Sequence, residues 1–253
     1  MKRVYFSFWI LFQFVYSYSQ IVNIENKRIY DDSTGINGSS DLTFNYIENK
    51  NVFYSLKNTT RLQYKSKSKT HYFLLLSDLF YSGGKKIVFA NSGMLHFRYS
   101  FRINKSTWKW ETFSQIQYNQ LLNQKMRFLL GTGLRDKLID KNKIKLFLGS
   151  SFMYEYEEIQ PNNEFLNNYR WSNYFSWFIS VKNIQLTGTS YYQPLFEDFK
   201  DYRFSGQYVL STQLSKKWRI KAEYNVFSDS RPPTGVKKVV SSLLIGFGID
   251  FGK

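Results

Sequence analysis

The chain has 253 residues and a formal net charge of +16, with 24 Phe, 20 Tyr, 6 Trp and no Cys. The lack of cysteine excludes a disulfide framework, thiolate metal sites and an N-terminal cysteine lipid anchor. Aromatic residues make up 20% of the chain, yet its mean hydropathy is −0.42, so aromatic and polar side chains must be interleaved. That mixture suits strands with one face in lipid and the other in water or polar packing.

A charge this high raises nucleic-acid binding first. The basic residues, however, are spread over alternating segments behind an export signal and do not form one patch. The expected partners are therefore outer-membrane lipids and lipopolysaccharide, with an envelope protein complex as a further one, and no nucleic acid.

In chain order, residues 1–19 read as a signal peptide. Lys2 and Arg3 form the positive start, Val4 to Val15 is mainly apolar, and Ser17 and Ser19 place small residues before a cleavage that leaves Gln20 first. Residues 20–37 form a polar lead-in, and residues 38–253 are expected to be the barrel. Nothing downstream is apolar for long enough to cross a bilayer as a helix. A spanning chain must then close its backbone hydrogen bonds in a barrel.

From there, period-two segments continue almost to the end. Leu95, Phe97, Tyr99, Phe101 and Ile103 alternate with His96, Arg98, Ser100 and Arg102. Trp108, Trp110, Thr112, Ile116 and Tyr118 oppose Lys109, Glu111, Gln115, Gln117 and Asn119. The clearest run has Tyr202, Phe204, Gly206, Tyr208, Leu210, Thr212 and Leu214 on one face. The spacing predicts strands at 38–48, 51–67, 69–81, 89–103, 107–121, 125–139, 143–157, 168–181, 184–193, 202–214, 218–228 and 237–251. The third is ambiguous, because Phe73 to Leu76 is apolar on both faces. The fold class is all-β: an antiparallel up-and-down transmembrane β-barrel of about 12 strands.

The connections are expected to segregate by length. Even-numbered turns, such as Lys182-Asn183, are short. Ser82–Val88, Glu158–Asn167, Pro194–Asp201 and Asp229–Val236 are expected to be long and to lie on the opposite rim. Short periplasmic turns and longer outer loops are the outer-membrane arrangement.

Arg127-Phe-Leu-Leu-Gly-Thr-Gly-Leu-Arg135, Leu146-Phe-Leu-Gly-Ser150 and Met153-Tyr-Glu-Tyr-Glu-Glu158 form an ordered set. It continues in Ser190-Tyr-Tyr-Gln-Pro-Leu-Phe196 and Asp198-Phe-Lys-Asp-Tyr-Arg203. Over most of the mature chain this set resembles the outer-membrane barrel family known as domain of unknown function 481. That family includes proteins described as salt-induced outer-membrane proteins, and the chain looks most like its Bacteroidetes-type members. The resemblance implies a porin-like barrel and its location in a Gram-negative cell outer membrane. It implies no catalytic residue and no cofactor.

The residues themselves agree on chemistry. His71 and His96 are the two histidines of the chain. His96 falls on an inward face among arginines and reads as one more polar lumen residue, so no catalytic residue is assigned. A lipid-directed enzyme and a loop-based binding scaffold remain the alternatives to a structural, pore or assembly-subunit barrel. Asp31 to Asn37 faintly resembles a calcium loop but lacks the acidic twelfth ligand, so no metal site is assigned.

The inward charges are more informative. Arg61, Arg98, Arg102, Arg127, Arg135, Arg170, Arg203, Arg219 and Lys221 are the candidate lumen-lining, anion-contacting residues. Lys57, Lys109 and Lys145 join them, against Asp41, Glu111, Glu155, Glu223 and Asp250. Such a lumen is either closed by arginine–carboxylate pairs or is a water-filled, anion-preferring pore. About twelve strands is intermediate between filled and open barrels, and a partly filled lumen is expected.

Overall fold

The computed structural model describes residues 34–48, 52–85, 87–104, 106–215, 218–233 and 235–249. For 39, 41–43, 45, 47, 218–219, 221, 242, 244 and 246–249 it describes the backbone alone. The signal peptide, the first part of the lead-in and Asp31 to Ser33 of the calcium-like loop lie outside the described residues.

Twelve strands follow one another: β1 (Gly35–Glu48), β2 (Val52–Lys65), β3 (His71–Gly84), β4 (Val88–Arg102), β5 (Lys109–Asn119), β6 (Gln124–Lys141), β7 (Ile144–Ile159), β8 (Glu164–Val181), β9 (Ile184–Pro194), β10 (Tyr202–Gln213), β11 (Trp218–Asp229) and β12 (Val239–Ile249). Each pairs antiparallel with the next, in the order β1 to β12 with no crossover. The fold is an up-and-down transmembrane-type β-barrel.

Register shows the stagger that such a barrel needs. The row of paired residues His71, Phe101, Trp110, Leu134, Ser150, Asn173, Tyr192, Phe204, Ser228, Val239 crosses ten strands, from β3 to β12. It starts on the first residue of β3, beside an even-numbered turn. It ends on the first residue of β12, beside an odd-numbered one. Strands therefore tilt steeply against the row direction, as closure of a sheet into a barrel requires.

Three regions differ from expectation. β1 begins at Gly35, inside the expected lead-in. The connections expected at Ser82–Val88 and Glu158–Asn167 shrink to 85–87 and 160–163, because pairing continues through Gly84 and from Glu164. The loops 195–201 and 230–238 are the longest of the connections.

The burial pattern is inverted relative to a water-soluble protein. Phe44, Leu62, Phe97, Leu130, Phe152, Phe175, Leu210 and Ile245 are exposed on the outer face, while Arg127, Arg170, His96 and Glu155 are at most 2% exposed inside. A continuous apolar exterior of this extent exceeds what soluble monomers carry and is the lipid-facing band of a membrane barrel. The inner face carries an apolar cluster where Tyr72, Leu74 and Leu76 of β3 meet Met94 of β4. This resolves the ambiguous run: Phe73 and Leu75 face out, and Leu74 and Leu76 fill the lumen.

Inward glycines make room for rings. A Cβ at Gly131 would strike the Phe113 ring, and one at Gly149 would strike Tyr174. With Gly149 beneath it, Tyr174 lies over β7 and reaches β5.

Candidate functional site

Period-two alternation sends every second side chain of β4 to β11 into one interior, and their polar ends meet in two layers. The first layer lies near the odd-numbered connections. Arg127 stands near the start of β6, Glu155 and Glu157 near the end of β7, Arg203 at the second position of β10, and Asp229 at the end of β11. Backbone pairing already sets Arg127 opposite Glu157 and Arg203 opposite Asp229.

Glu155, fully buried, is the hub. It accepts from Arg127 Nε at 2.5 Å and from Arg170 Nε at 2.6 Å, and it also accepts from Arg203. Arg203 donates further to Glu157 at 2.7 Å and to Asp229 at 3.0 Å. Arg170 reaches the Asp201 carboxylate at 3.0 Å and the Gln193 carbonyl at 3.2 Å. Three guanidiniums thus face four carboxylates. Buried charge on this scale is tolerated only when each ion is paired and hydrogen-bonded.

The second layer lies deeper. Glu111 accepts from Arg98 at 3.2 Å, from Ser100 at 2.9 Å and from the Tyr174 hydroxyl at 3.3 Å. Beside it is a cavity of about 40 Å³, lined by His96, Arg98, Glu111, Phe113, Ser172 and Tyr174 among others. That is room for about three waters.

A directed hydrogen-bond chain joins the layers. Arg98 Nε donates to His96 Nε2 at 3.3 Å, so His96 carries its proton on Nδ1, 2.9 Å from Gln115 Oε1. The Gln115 amide donates to Gln117, Gln117 to Gln124 at 2.7 Å, and Gln124 to Glu157 at 2.5 Å. Every donor points the same way, from a cation to an anion, and in a low dielectric such chains polarise and strengthen one another.

His96 also stacks on Phe113 at 5.6 Å. Its hydrogen-bond partners here, an amide oxygen and a guanidinium, are not nucleophiles. Among the described residues no group of three His, Asp or Glu is placed to hold a metal.

The candidate anion-contacting residues divide accordingly. Arg98, Arg127, Arg170 and Arg203 come together in the network with carboxylates, and are committed to them. Arg135 lays its guanidinium 4.2 Å from the Phe147 ring centre. Arg61 and Arg102 are half-buried. The side chains of Arg219 and Lys221 lie outside the described residues.

Glu157, Asp229 and Asp201 are not among the expected inward charges. Glu157 shares parity with Glu155, so alternation already holds it, but it falls at an expected strand end. Asp229 and Asp201 fall in expected loops, and a loop residue carries no face.

At the rim above this network the longest loops are tied together. Arg231 pairs with Asp198 at 2.5 Å and Ser230 N donates to Tyr202 O at 3.0 Å. The backbone N–H of Lys200 and the Arg231 guanidinium hold the Asp198 carboxyl below the usual carboxylate range. Phe196 and Phe199 fold onto the outer surface, edge-on to Phe152 and Trp171.

No curated protein matches the chain. A solved structure described as "NanC porin structure in rhombohedral crystal form" superposes with a TM-score of 0.48 at 9% identity, covering 85% of this chain and 98% of that one. The family model described as "Protein of unknown function, DUF481" matches residues 37–251. The chain belongs to the DUF481 family.

Proposed function

We propose that this chain is a barrel of the outer membrane of a Gram-negative bacterium, exported by its N-terminal signal. Its lumen, lined by basic residues, is narrowed by the network around Glu155, and it acts as a structural barrel that passes small anions at most. The observation that carries this reading is the inversion of burial: large apolar side chains exposed outside, and Arg127, Arg170 and Glu155 at most 2% exposed inside. An even strand number puts both ends on one side, the periplasm. The loops 195–201 and 230–238 then lie outside the cell. Exposed Trp110, Tyr169 and Trp171 suit contact with outer-membrane lipids and lipopolysaccharide at the two interfaces.

The barrel is read as non-enzymatic, because His96 is spent on Gln115 and Arg98. A second reading, a binding scaffold or a subunit of an envelope complex, draws support from the Arg231–Asp198 tie, which gives the outer rim a preformed surface.

The test is extraction and conductance. The mature protein should leave membranes only with detergent, migrate differently before and after boiling, and give a small, anion-preferring conductance in planar bilayers. A well-folded, water-soluble monomer of residues 21–253 made without detergent would end this reading.

A further inference from the structure

The five even-numbered connections, 66–70, 103–108, 142–143, 182–183 and 214–217, all carry lysine and contain no Asp or Glu. The odd-numbered connections carry lysine too, among them Lys85, Lys200, Lys237 and Lys238, but mix it with Glu197, Asp198 and Asp201; the even rim is the one without acid. Of the lysines at the even rim, Lys67, Lys69, Lys141, Lys143 and Lys182 are exposed. None of these five makes an ion pair among the described residues. Lys105, Lys216 and Lys217 lie outside the described residues. The one acidic side chain close to the β6–β7 turn, Asp140, is taken by Lys137 at 2.5 Å and Lys145 at 4.0 Å. Because β2–β3, β6–β7 and β8–β9 are spread around the sheet, the charge forms a partial ring.

A second observation separates this ring from ordinary turn chemistry. Lys69 and Lys182 have φ of 56° and 53°, the left-handed region that disfavours most side chains. Elsewhere the same backbone is met by asparagine, Asn104 in another even turn and Asn123 and Asn163 at the odd rim, a residue type that tolerates it. The turns alone therefore do not call for lysine. Where a sequence breaks a local rule, function is the expected reason. Just inside the ring, toward the bilayer, stand the exposed aromatic residues Tyr64, Phe73 and Trp110. That is the sequence of layers at a membrane interface: apolar band, aromatic belt, cations at phosphate depth.

We propose that the even-turn rim binds the phosphodiester headgroups of anionic glycerophospholipids in the leaflet it adjoins, through Lys67, Lys69, Lys143 and Lys182. This rests on the outer-membrane reading and names the lipid class that the rim selects.

The test uses the mature protein folded into vesicles of equal parts phosphatidylcholine and phosphatidylglycerol. It is then extracted in mild detergent, and native mass spectrometry counts the lipids retained. Phosphatidylglycerol should be enriched several-fold over phosphatidylcholine, and raised salt during extraction should reduce the enrichment. The variant K67Q/K69Q/K143Q/K182Q should lose most of it while keeping its heat-shifted band. K69G/K182G guards against misfolding: glycine suits the left-handed backbone, so this variant should fold at least as well yet retain less phosphatidylglycerol. Retention of the two lipids in equal amounts by the unmodified protein, or undiminished enrichment in both variants, would overturn the proposal. Failure of the unmodified protein to insert at all would instead strike the outer-membrane reading.

Discussion

The guanidinium of Arg203, on β10, meets the carboxylate of Glu155, on β7, although β8 and β9 lie between them in the sheet. Strands three apart touch through their inward side chains only where the sheet is strongly curved. The ion network is thus both the filling of the barrel and a measure of its curvature.

Glu155 is the hub of that filling, so Glu155→Gln should leave three guanidiniums around a neutral amide. Breaking a buried ion pair by removing one partner costs about 3–5 kcal/mol. The midpoint of urea unfolding, followed by the heat-shifted band on a gel, should fall accordingly. A change no larger than that of an exposed Lys→Gln substitution at Lys125 would mean that the cluster is not formed.

The two faces should differ in their tolerance of charge. Leu210→Arg and Phe97→Arg place a cation on the lipid face, at a cost of roughly 2–4 kcal/mol if near the bilayer midplane. Gln207→Arg, on the inward face opposite Asn225 and within hydrogen-bond reach of Glu223, should cost much less. Ser100 shares the inward face but is only 1% exposed and donates to Glu111, so Ser100→Arg should be as damaging as a lipid-face charge. Equal losses at Leu210 and Gln207 would mean that the pleat is assigned the wrong way round.

Topology can be read on whole cells, because the chain has no native cysteine. A membrane-impermeant thiol reagent should label Asn162→Cys and Lys237→Cys on intact cells. It should reach Asn104→Cys and Lys143→Cys only after the outer membrane is broken. The opposite pattern inverts the barrel, and labelling of all four positions on intact cells removes it from the outer membrane.

Strand number and facing were legible in the residues because period two is imposed by the backbone itself. From Leu95 to Ser100 and from Tyr202 to Ser205 the expected alternation matches the observed exposure residue by residue. Strand ends were less legible. Glu164 to Asn167 contain no clear alternation, and they pair because β7 offers partners as far as Ile159. The candidate site was half legible. Parity placed Arg127, Arg170 and Arg203 inside, but it is blind to contacts across the lumen, so the carboxylates that engage them were undercounted and the lumen looked more positive than it is. Asp78 is a further inward carboxylate, accepting from Thr59 across the β2–β3 pair at 2.7 Å.

A lumen filled by the Arg203–Glu155 layer leaves little room for ions, so conductance reports on that layer. In planar bilayers under a salt gradient, the unmodified protein should give at most a small conductance with a reversal potential on the anion side. The double variant Arg203→Ala/Glu157→Ala, which removes a cation and an anion together from the outer end of the network, should conduct several-fold more. A wide, steady, porin-scale conductance in the unmodified protein, or a reversal potential on the cation side, would mean that the layer does not fill a positively charged lumen.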